Sequence, residues 1–143
     1  MITEDHVSFE IAKLLKEKGF DETCRAFWKD WNGELHLCNC CSNHVFEWCH
    51  NSMLEEYNDD EELNIAAPTI QMAMKWLREI HNIIITVRLF NSAEHFYLGE
   101  PNQFTIDIAT TTMSSQKGHI RAVYSTYEEA AEFAIKYCLE NLI

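Results

Sequence analysis

The sequence predicts an α+β fold in which three main helices pack on one face of an antiparallel sheet. Three segments repeat apolar residues at helical spacing and carry capping signals at their ends. The segments between them alternate apolar and polar residues, as strands do. Helices and strands are segregated along the chain, which favours α+β over a parallel α/β fold. A chain of 143 residues with 47% hydrophobic content suits one core, so we expect a single domain spanning 1–143.

The first helix is predicted to begin after Ser8 and to end at Gly19. Serine is a preferred N-cap residue, and glycine ends helices in the left-handed conformation. Phe20 can then fold back onto the last turn of the helix. The apolar stripe of this first helix is formed by Ile11, Leu14 and Leu15.

A β-hairpin is predicted around Asn32-Gly33, because Asn-Gly between two apolar-rich runs is a strong hairpin signal. With a two-residue turn, Trp28 would pair with Leu37, and Cys24 would lie opposite Cys41. The hairpin face that we expect to enter the core carries Trp28, Leu35 and Leu37.

The stretch from Val45 to Asn64 has no clear period and is predicted to be irregular, with a short helix around Phe46 to Met53. Pro68 suits the first turn of the second helix, and Asn82 is predicted to end it. The buried stripe of that helix is expected to be Ile70, Ala73, Leu77 and Ile80.

Strands dominate the next part of the chain. Ile83 to Phe90 alternates and is predicted to be a strand, with His95 to Leu98 as its returning partner. A further strand is predicted from Phe104 to Ala109, and a short one from His119 to Tyr124. Thr126 and Glu129 form a capping box before the last helix, whose buried residues would be Ala131, Ala134, Cys138 and Leu142.

The charge of the chain argues against nucleic-acid binding. The formal net charge is -12, with six of the acidic residues in the run from Glu55 to Glu62, and this would repel a phosphate backbone. No apolar run is long enough to span a membrane, and the N-terminus lacks the features of a secretory signal. We therefore expect a cytoplasmic protein whose six cysteines are free thiols or metal ligands.

One segment, from His36 to His50, contains four of the six cysteines and three of the seven histidines. Thiolate and imidazole are preferred zinc ligands, and Cys38-x-x-Cys41 has the spacing of half a tetrahedral site. The candidate zinc ligands are Cys38, Cys41, His44 and Cys49. The alternative is that these cysteines are small buried hydrophobic residues and that the protein has no cofactor.

The sequence contains no complete catalytic signature, so an enzyme is the less favoured class. Cys49 and His50 are adjacent, but neighbouring residues on a strand point apart and do not form a nucleophile and its base. A site built from distant residues such as His81, His95 and His119 stays open at this point.

The chain resembles a group of small uncharacterised proteins encoded in phages and prophages of gut Bacteroides-type bacteria. The resemblance lies in Ser8 to Phe20, in Ala67 to His81 and in Tyr127 to Ala130. It implies a genomic setting and transfers no catalytic residues, and the cysteine and histidine run lies outside it. From Ile83 onward, the order strand, strand, helix is also similar to HicB-type antitoxins, which bind a partner protein.

Together these observations predict a small acidic accessory protein of a phage or mobile element that is not an enzyme and acts by binding another protein, such as a host factor. If its carboxylates formed an ordered stripe, such a protein would imitate nucleic acid. The alternative is a zinc-stabilised domain or zinc-dependent enzyme built on residues 36–50.

Overall fold

A computed structural model describes residues 3–29, 33–38, 48–56, 58, 63–90, 103–110 and 122–143. It confirms the α+β class and the antiparallel strand pairing. The chain divides into two compact units, unit 1 from Met1 to Ala73 and unit 2 from Met74 to Ile143. The described strands form one sheet of three strands and one of two strands rather than a single sheet. The packing of three helices on one common face, and the single domain, stay predictions.

The described elements of unit 1 follow the order helix, strand, strand, helix, strand, helix. They are α1 (Phe9–Glu17), β1 (Ala26–Lys29), β2 (Glu34–Leu37), α2 (Asn51–Glu55), β3 (Asn64–Ala66) and the first turn of α3 (Ile70–His81). The sheet order is β2-β1-β3, with both pairings antiparallel. Helices α1 and α2 both contact β3, so the core of this unit lies beside β1 and β3.

Helix α1 confirms the first predicted helix. Ser8 is at the N-cap position with an extended backbone, although its side chain makes no capping hydrogen bond. Gly19 has a φ of +88°, the left-handed conformation that glycine adopts without strain. The Phe20 N–H then bonds to the carbonyl of Leu15 at 2.9 Å, and the Phe20 side chain is buried.

The hairpin forms, but the predicted register is wrong by two residues. Trp28 pairs with Leu35 rather than with Leu37, and the last pair is Lys29 with Glu34. Gly33, at a φ of +62°, donates its N–H to the carbonyl of Lys29 at 2.9 Å. Four residues, 30–33, therefore lie between the last paired positions, where a two-residue turn was predicted. Because strands have a period of two, this shift leaves each side chain on its predicted face.

The face predicted to enter the core is mostly exposed. Leu35 and Leu37 are 37% and 48% exposed because β2 is an edge strand. Trp28, on the central strand β1, does reach the interior of unit 1. Its Nε1 donates to the Val7 carbonyl at 3.0 Å, and its ring meets Phe9 edge to face at 6.5 Å.

The sequence did not indicate β3, and the short helix begins later than predicted. Only three residues of β3 pair with β1, which is too short a run to show alternation. The helix is α2 at Asn51–Glu55, whereas Phe46 lies outside the described residues.

Helix α3 confirms the second predicted helix, with two corrections. It begins at Ile70, so Pro68 lies before its first turn rather than in it, and the Thr69 hydroxyl accepts the Met72 N–H at 3.2 Å. Ile80 was assigned to the buried stripe but is 58% exposed. The helix ends where predicted, because Asn82 adopts a left-handed φ of +57°.

Unit 2 contains β4 (Ile83–Phe90), β5 (Gln103–Thr110) and α4 (Tyr127–Asn141) after α3. β4 and β5 pair antiparallel along all eight residues, and α4 packs on both strands. Thr126 caps α4, its hydroxyl accepting the Glu129 N–H at 3.1 Å, while Glu129 accepts the N–H of Ser125. Leu142, predicted to be buried, is 40% exposed. The buried residues of α4 are Ala130, Ala131, Ala134, Ile135, Cys138 and Leu139.

Two predicted strands fall largely outside the described residues. His95 to Leu98 is outside them entirely, and of the stretch from His119 to Tyr124 only its last residues are described. Tyr124 forms an isolated antiparallel bridge with Phe104. In the described part of the chain, no helix is both long enough and apolar enough to cross a bilayer.

Candidate functional site

Three cysteines from distant parts of the sequence lie together in unit 1. Cys24 and Cys49 exchange two backbone hydrogen bonds of 2.7 Å each, just before β1 and α2 respectively. Cys38 follows β2, and its N–H bonds to the carbonyl of Arg25 at 2.8 Å. Cys24 thus bridges to Cys49, whereas Cys41, its predicted partner, lies outside the described residues.

Cys38 and Cys49 form a sulfur pair. Their Sγ atoms are 3.5 Å apart, and the side chains are only 6% and 1% exposed. The Cys49 thiol also donates to the carbonyl of Ala26 at 3.3 Å. The two segments that flank residues 39–48 thus bring one thiol each to the same buried place.

The thiols of this region are held in the protonated form. Burial raises the pKa of Cys24 to about 12, with smaller contributions from Cys38 and Glu22. Burial and then the proximity of Cys38 raise the pKa of Cys49. Burial also raises the pKa of Cys38, and the hydrogen bond between the two sulfurs only partly offsets this. Since the thiolate is the nucleophile, these cysteines are poor nucleophiles at neutral pH.

The sulfur pair has a separation close to that of two zinc ligands. Two thiolates at about 2.3 Å from a tetrahedral zinc ion are about 3.8 Å apart, compared with 3.5 Å here. Of the predicted ligands, the structure brings together Cys38 and Cys49, whereas Cys41 and His44 lie outside the described residues. Among the described side chains of His, Cys, Asp and Glu, no three form a group that could hold a metal.

The two histidines that bound the cysteine run have structural contacts. His50 caps α2, its Nδ1 lying 3.3 Å from the N–H of Met53 and 3.2 Å from a carboxylate oxygen of Asp21. His36 stacks on Phe27 with 5.6 Å between ring centroids. Among the described residues, no contact joins either histidine to the side chain of Cys38 or of Cys49.

A cleft that the sequence did not indicate opens beside Cys24. We call it the sulfur cleft because Cys24 and Met72 both line it, and the Cys24 Sγ and the Met72 Sδ are 3.9 Å apart. It has a volume of about 390 Å³, and His6 and Trp48 also line it. Burial lowers the pKa of His6, against the attraction of Glu4 and Asp5. These residues come from separate segments, so no spacing rule connects them.

The second feature of interest is the edge of the sheet in unit 2. Within the described residues β4 pairs only with β5, so among these residues its other side is a sheet edge. Ile84 and Leu89 on this strand are 41% and 51% exposed. Arg88 is the one charged residue of β4, and it forms an ion pair with Asp107 on the neighbouring strand.

The histidines considered as a dispersed catalytic site are not brought together in the described chain. His81 ends α3 and packs against Trp76 at 4.5 Å between ring centroids. His95 and His119 lie outside the described residues. A comparison of the chain with known protein families, curated proteins and solved structures finds no match.

Proposed function

We propose that this protein is a cytoplasmic, non-enzymatic accessory protein of a phage or mobile element, and that it acts by binding another protein. The observation that carries the proposal is the β4 edge. It is eight residues long, has one charged residue, and exposes large apolar side chains such as Ile84 and Leu89.

A free strand edge is a binding surface because its backbone N–H and C=O groups can pair with an incoming strand. Natural proteins usually protect such edges with lysine, proline, a bulge or a short strand. β4 has neither proline nor lysine, and it pairs with β5 along its whole length without a bulge. An extended segment of a partner can therefore add to this edge, with pockets between its exposed side chains giving specificity.

The charge of the chain indicates the chemistry of the partner. With a formal charge of -12, the protein attracts a basic segment and repels an acidic one. We therefore propose a basic, extended segment of a host protein as the occupant of the β4 edge. An imitation of nucleic acid would require an ordered acidic stripe, and of the acidic run only Glu55 and Glu56 lie among the described residues.

A photo-crosslinking amino acid at position 84 tests this proposal, with position 80 as the matched control. Ile84 is on the β4 edge strand and Ile80 is on α3, and both are exposed isoleucines of unit 2. In host lysate, position 84 should crosslink to a basic segment of one protein, and position 80 should not. The substitution Ile84→Lys should abolish the complex, whereas Ile80→Lys should leave it intact.

The proposal fails if both positions crosslink equally, or if position 84 crosslinks only to further copies of this chain. Hydrogen exchange gives an independent measurement, because strand addition would slow exchange of the β4 amides when the partner is added. Unchanged β4 exchange in the complex would place the interface elsewhere.

A second candidate function is a zinc-stabilised domain or zinc-dependent enzyme, and the 3.5 Å sulfur pair favours it. In this case Cys38 and Cys49 would be two of the four ligands, and Cys41 and His44 are the predicted others. Zinc would lower the pKa of each thiol enough to release its proton on binding.

Metal analysis of protein purified without added metal tests this candidate. It requires about one zinc per chain, lost in Cys38→Ser and in Cys49→Ser but retained in Cys138→Ser, since Cys138 lies in α4 of unit 2. A metal-free wild-type protein that folds fully would rule it out.

A further inference from the structure

The sulfur cleft contains a pair of soft donor atoms of different kinds. The Cys24 Sγ and the Met72 Sδ are 3.9 Å apart, on residues that are 48 positions apart in the sequence. Cys24 is held by its double backbone hydrogen bond to Cys49, and Met72 by the first turn of α3. A thiol and a thioether are thus brought together by two separate backbone segments.

A third donor lines the same cleft. His6 is bridged to Thr69, the residue that caps α3 one turn before Met72. Glu4 and Arg25, which also line the cleft, carry opposite charges, so the wall has no net charge that would exclude a monovalent cation. With a volume of about 390 Å³, the cleft has ample room for an ion and its ligands.

The distance between the sulfur atoms suits a bound metal. Two sulfur ligands at about 2.3 Å from an ion lie about 4.0 Å apart in a trigonal site and about 3.8 Å apart in a tetrahedral one. The observed 3.9 Å lies between these values. No large movement of either side chain is needed to place both sulfurs on one ion.

The donor types select the metal. Zinc in proteins is bound by thiolate, imidazole and carboxylate, whereas a thioether together with a thiolate selects Cu(I). We propose that Cys24, Met72 and His6 bind one Cu(I) ion in the sulfur cleft. On binding, the Cys24 thiol loses one proton to solvent, a Cu–S bond forms, and the oxidation state of the metal does not change.

This site is separate from the sulfur pair of Cys38 and Cys49, which contains no thioether. It is also independent of the proposed partner binding, because that depends on the β4 edge of unit 2. Failure of either proposal would leave the other intact.

The test is an anaerobic competition titration of the full chain, loaded with Cu(I), against a coloured Cu(I) chelator of known affinity. Loss of an outer-shell partner of a metal ligand costs about 10-fold to 100-fold in affinity, so loss of a ligand should cost at least about tenfold. We expect this loss in Met72→Leu, Cys24→Ala and His6→Gln. Met53→Leu, in α2, and Cys138→Ala, in α4, are the matched controls and should bind as the wild type does.

Met72→Leu decides the test, because leucine keeps the volume and the apolar contacts of methionine, so the variant should fold. X-ray absorption should show two sulfur ligands and one nitrogen ligand on copper in the wild type, and one sulfur fewer in this variant. Unchanged affinity of Met72→Leu would overturn the proposal. So would a loss of affinity in Cys38→Ala without one in Cys24→Ala, because that would place the ion on the other cysteines.

Discussion

Asn51 is the buried polar residue that connects α1, α2 and β3 of unit 1. It is 4% exposed, its Nδ2 donates to the Phe20 carbonyl at 2.7 Å, and its Oδ1 accepts the Ala66 N–H at 2.9 Å. One amide side chain thus satisfies a donor and an acceptor of two separate backbone segments. Buried polar groups without partners are costly, so the Asn51 side chain stabilises both backbone segments that it bonds.

We predict that Asn51→Leu lowers the free energy of unfolding by about 3 kcal/mol, because it leaves two buried backbone groups unsatisfied. Urea denaturation measures the loss. The control is Asn141→Leu at the exposed end of α4, where the side-chain Nδ2 donates to the Tyr137 carbonyl at 2.9 Å. An equal loss in both variants would show that the Asn51 bonds do not carry the effect.

The carboxylate of Asp21 stabilises the beginning of α2. It accepts hydrogen bonds from the N–H and the hydroxyl of Ser52, and His50 lies beside it. Burial of the carboxyl opposes ionisation, but the hydrogen bonds from Ser52 and the interaction with His50 outweigh it and hold the pKa of Asp21 below its ordinary value of 3.8. The carboxylate is therefore favoured in the folded state.

This shift predicts a pH dependence. Because the folded-state pKa is lowered, the stabilisation is complete above about 3.8 and is lost as the pH falls through the folded-state value. Asp21→Ala should cost about 1 kcal/mol at pH 7, as the loss of a capping side chain does. The difference from wild type should shrink below the ordinary pKa in urea titrations. A difference that stays constant to the lowest measurable pH would contradict this account. Glu22→Ala is the control.

At the scale of elements, helix ends were easier to predict than strand pairing. The signals for the ends of α1, α3 and α4 are local, since a cap or a left-handed residue acts within one turn. The hairpin register depended on how many residues form the loop between Lys29 and Glu34. Asn32-Gly33 suits a two-residue turn, but the antiparallel pairing of β1 with β3 also fixes where β1 ends.

We predict that Gly19→Ala lowers the free energy of unfolding by about 1 kcal/mol, because alanine is strained at a φ of +88°. Apart from the adjoining residues, no atom lies within 4 Å of the added Cβ, so the cost comes from the backbone conformation. Gly19→Asn should recover part of it, since asparagine tolerates this conformation. Thermal or urea unfolding measures both. If Asn is as costly as Ala, the cause is not the backbone conformation.

At the scale of the whole molecule, each compact unit has its own buried residues. Ile65 of β3 and Leu139 of α4 are both fully buried, one in each unit. Helix α3 contributes to both, with Ala73 in unit 1 and Leu77 in unit 2.

We predict one cooperative unfolding transition, as expected for a single domain. Ile65→Ala and Leu139→Ala should each lower the free energy of unfolding in that transition by about 3 kcal/mol, because each leaves a cavity in a core. Comparing far-UV circular dichroism with tryptophan fluorescence tests this. Two separate transitions, each shifted by only one variant, would show that the units fold independently.

The sequence by itself determined the α+β class, the helices, and strands β4 and β5, because periodicity and capping are local properties. It also indicated Cys38 and Cys49 as candidate ligands, since cysteine is a preferred zinc ligand in any fold. Only the tertiary structure decided that Leu35, Leu37 and Ile80 are exposed, and that Cys24 lies opposite Cys49. The physical reason is that burial and ligand geometry depend on contacts between distant segments. The approach of Cys24 to Met72 is such a contact, and no spacing rule within one segment describes it.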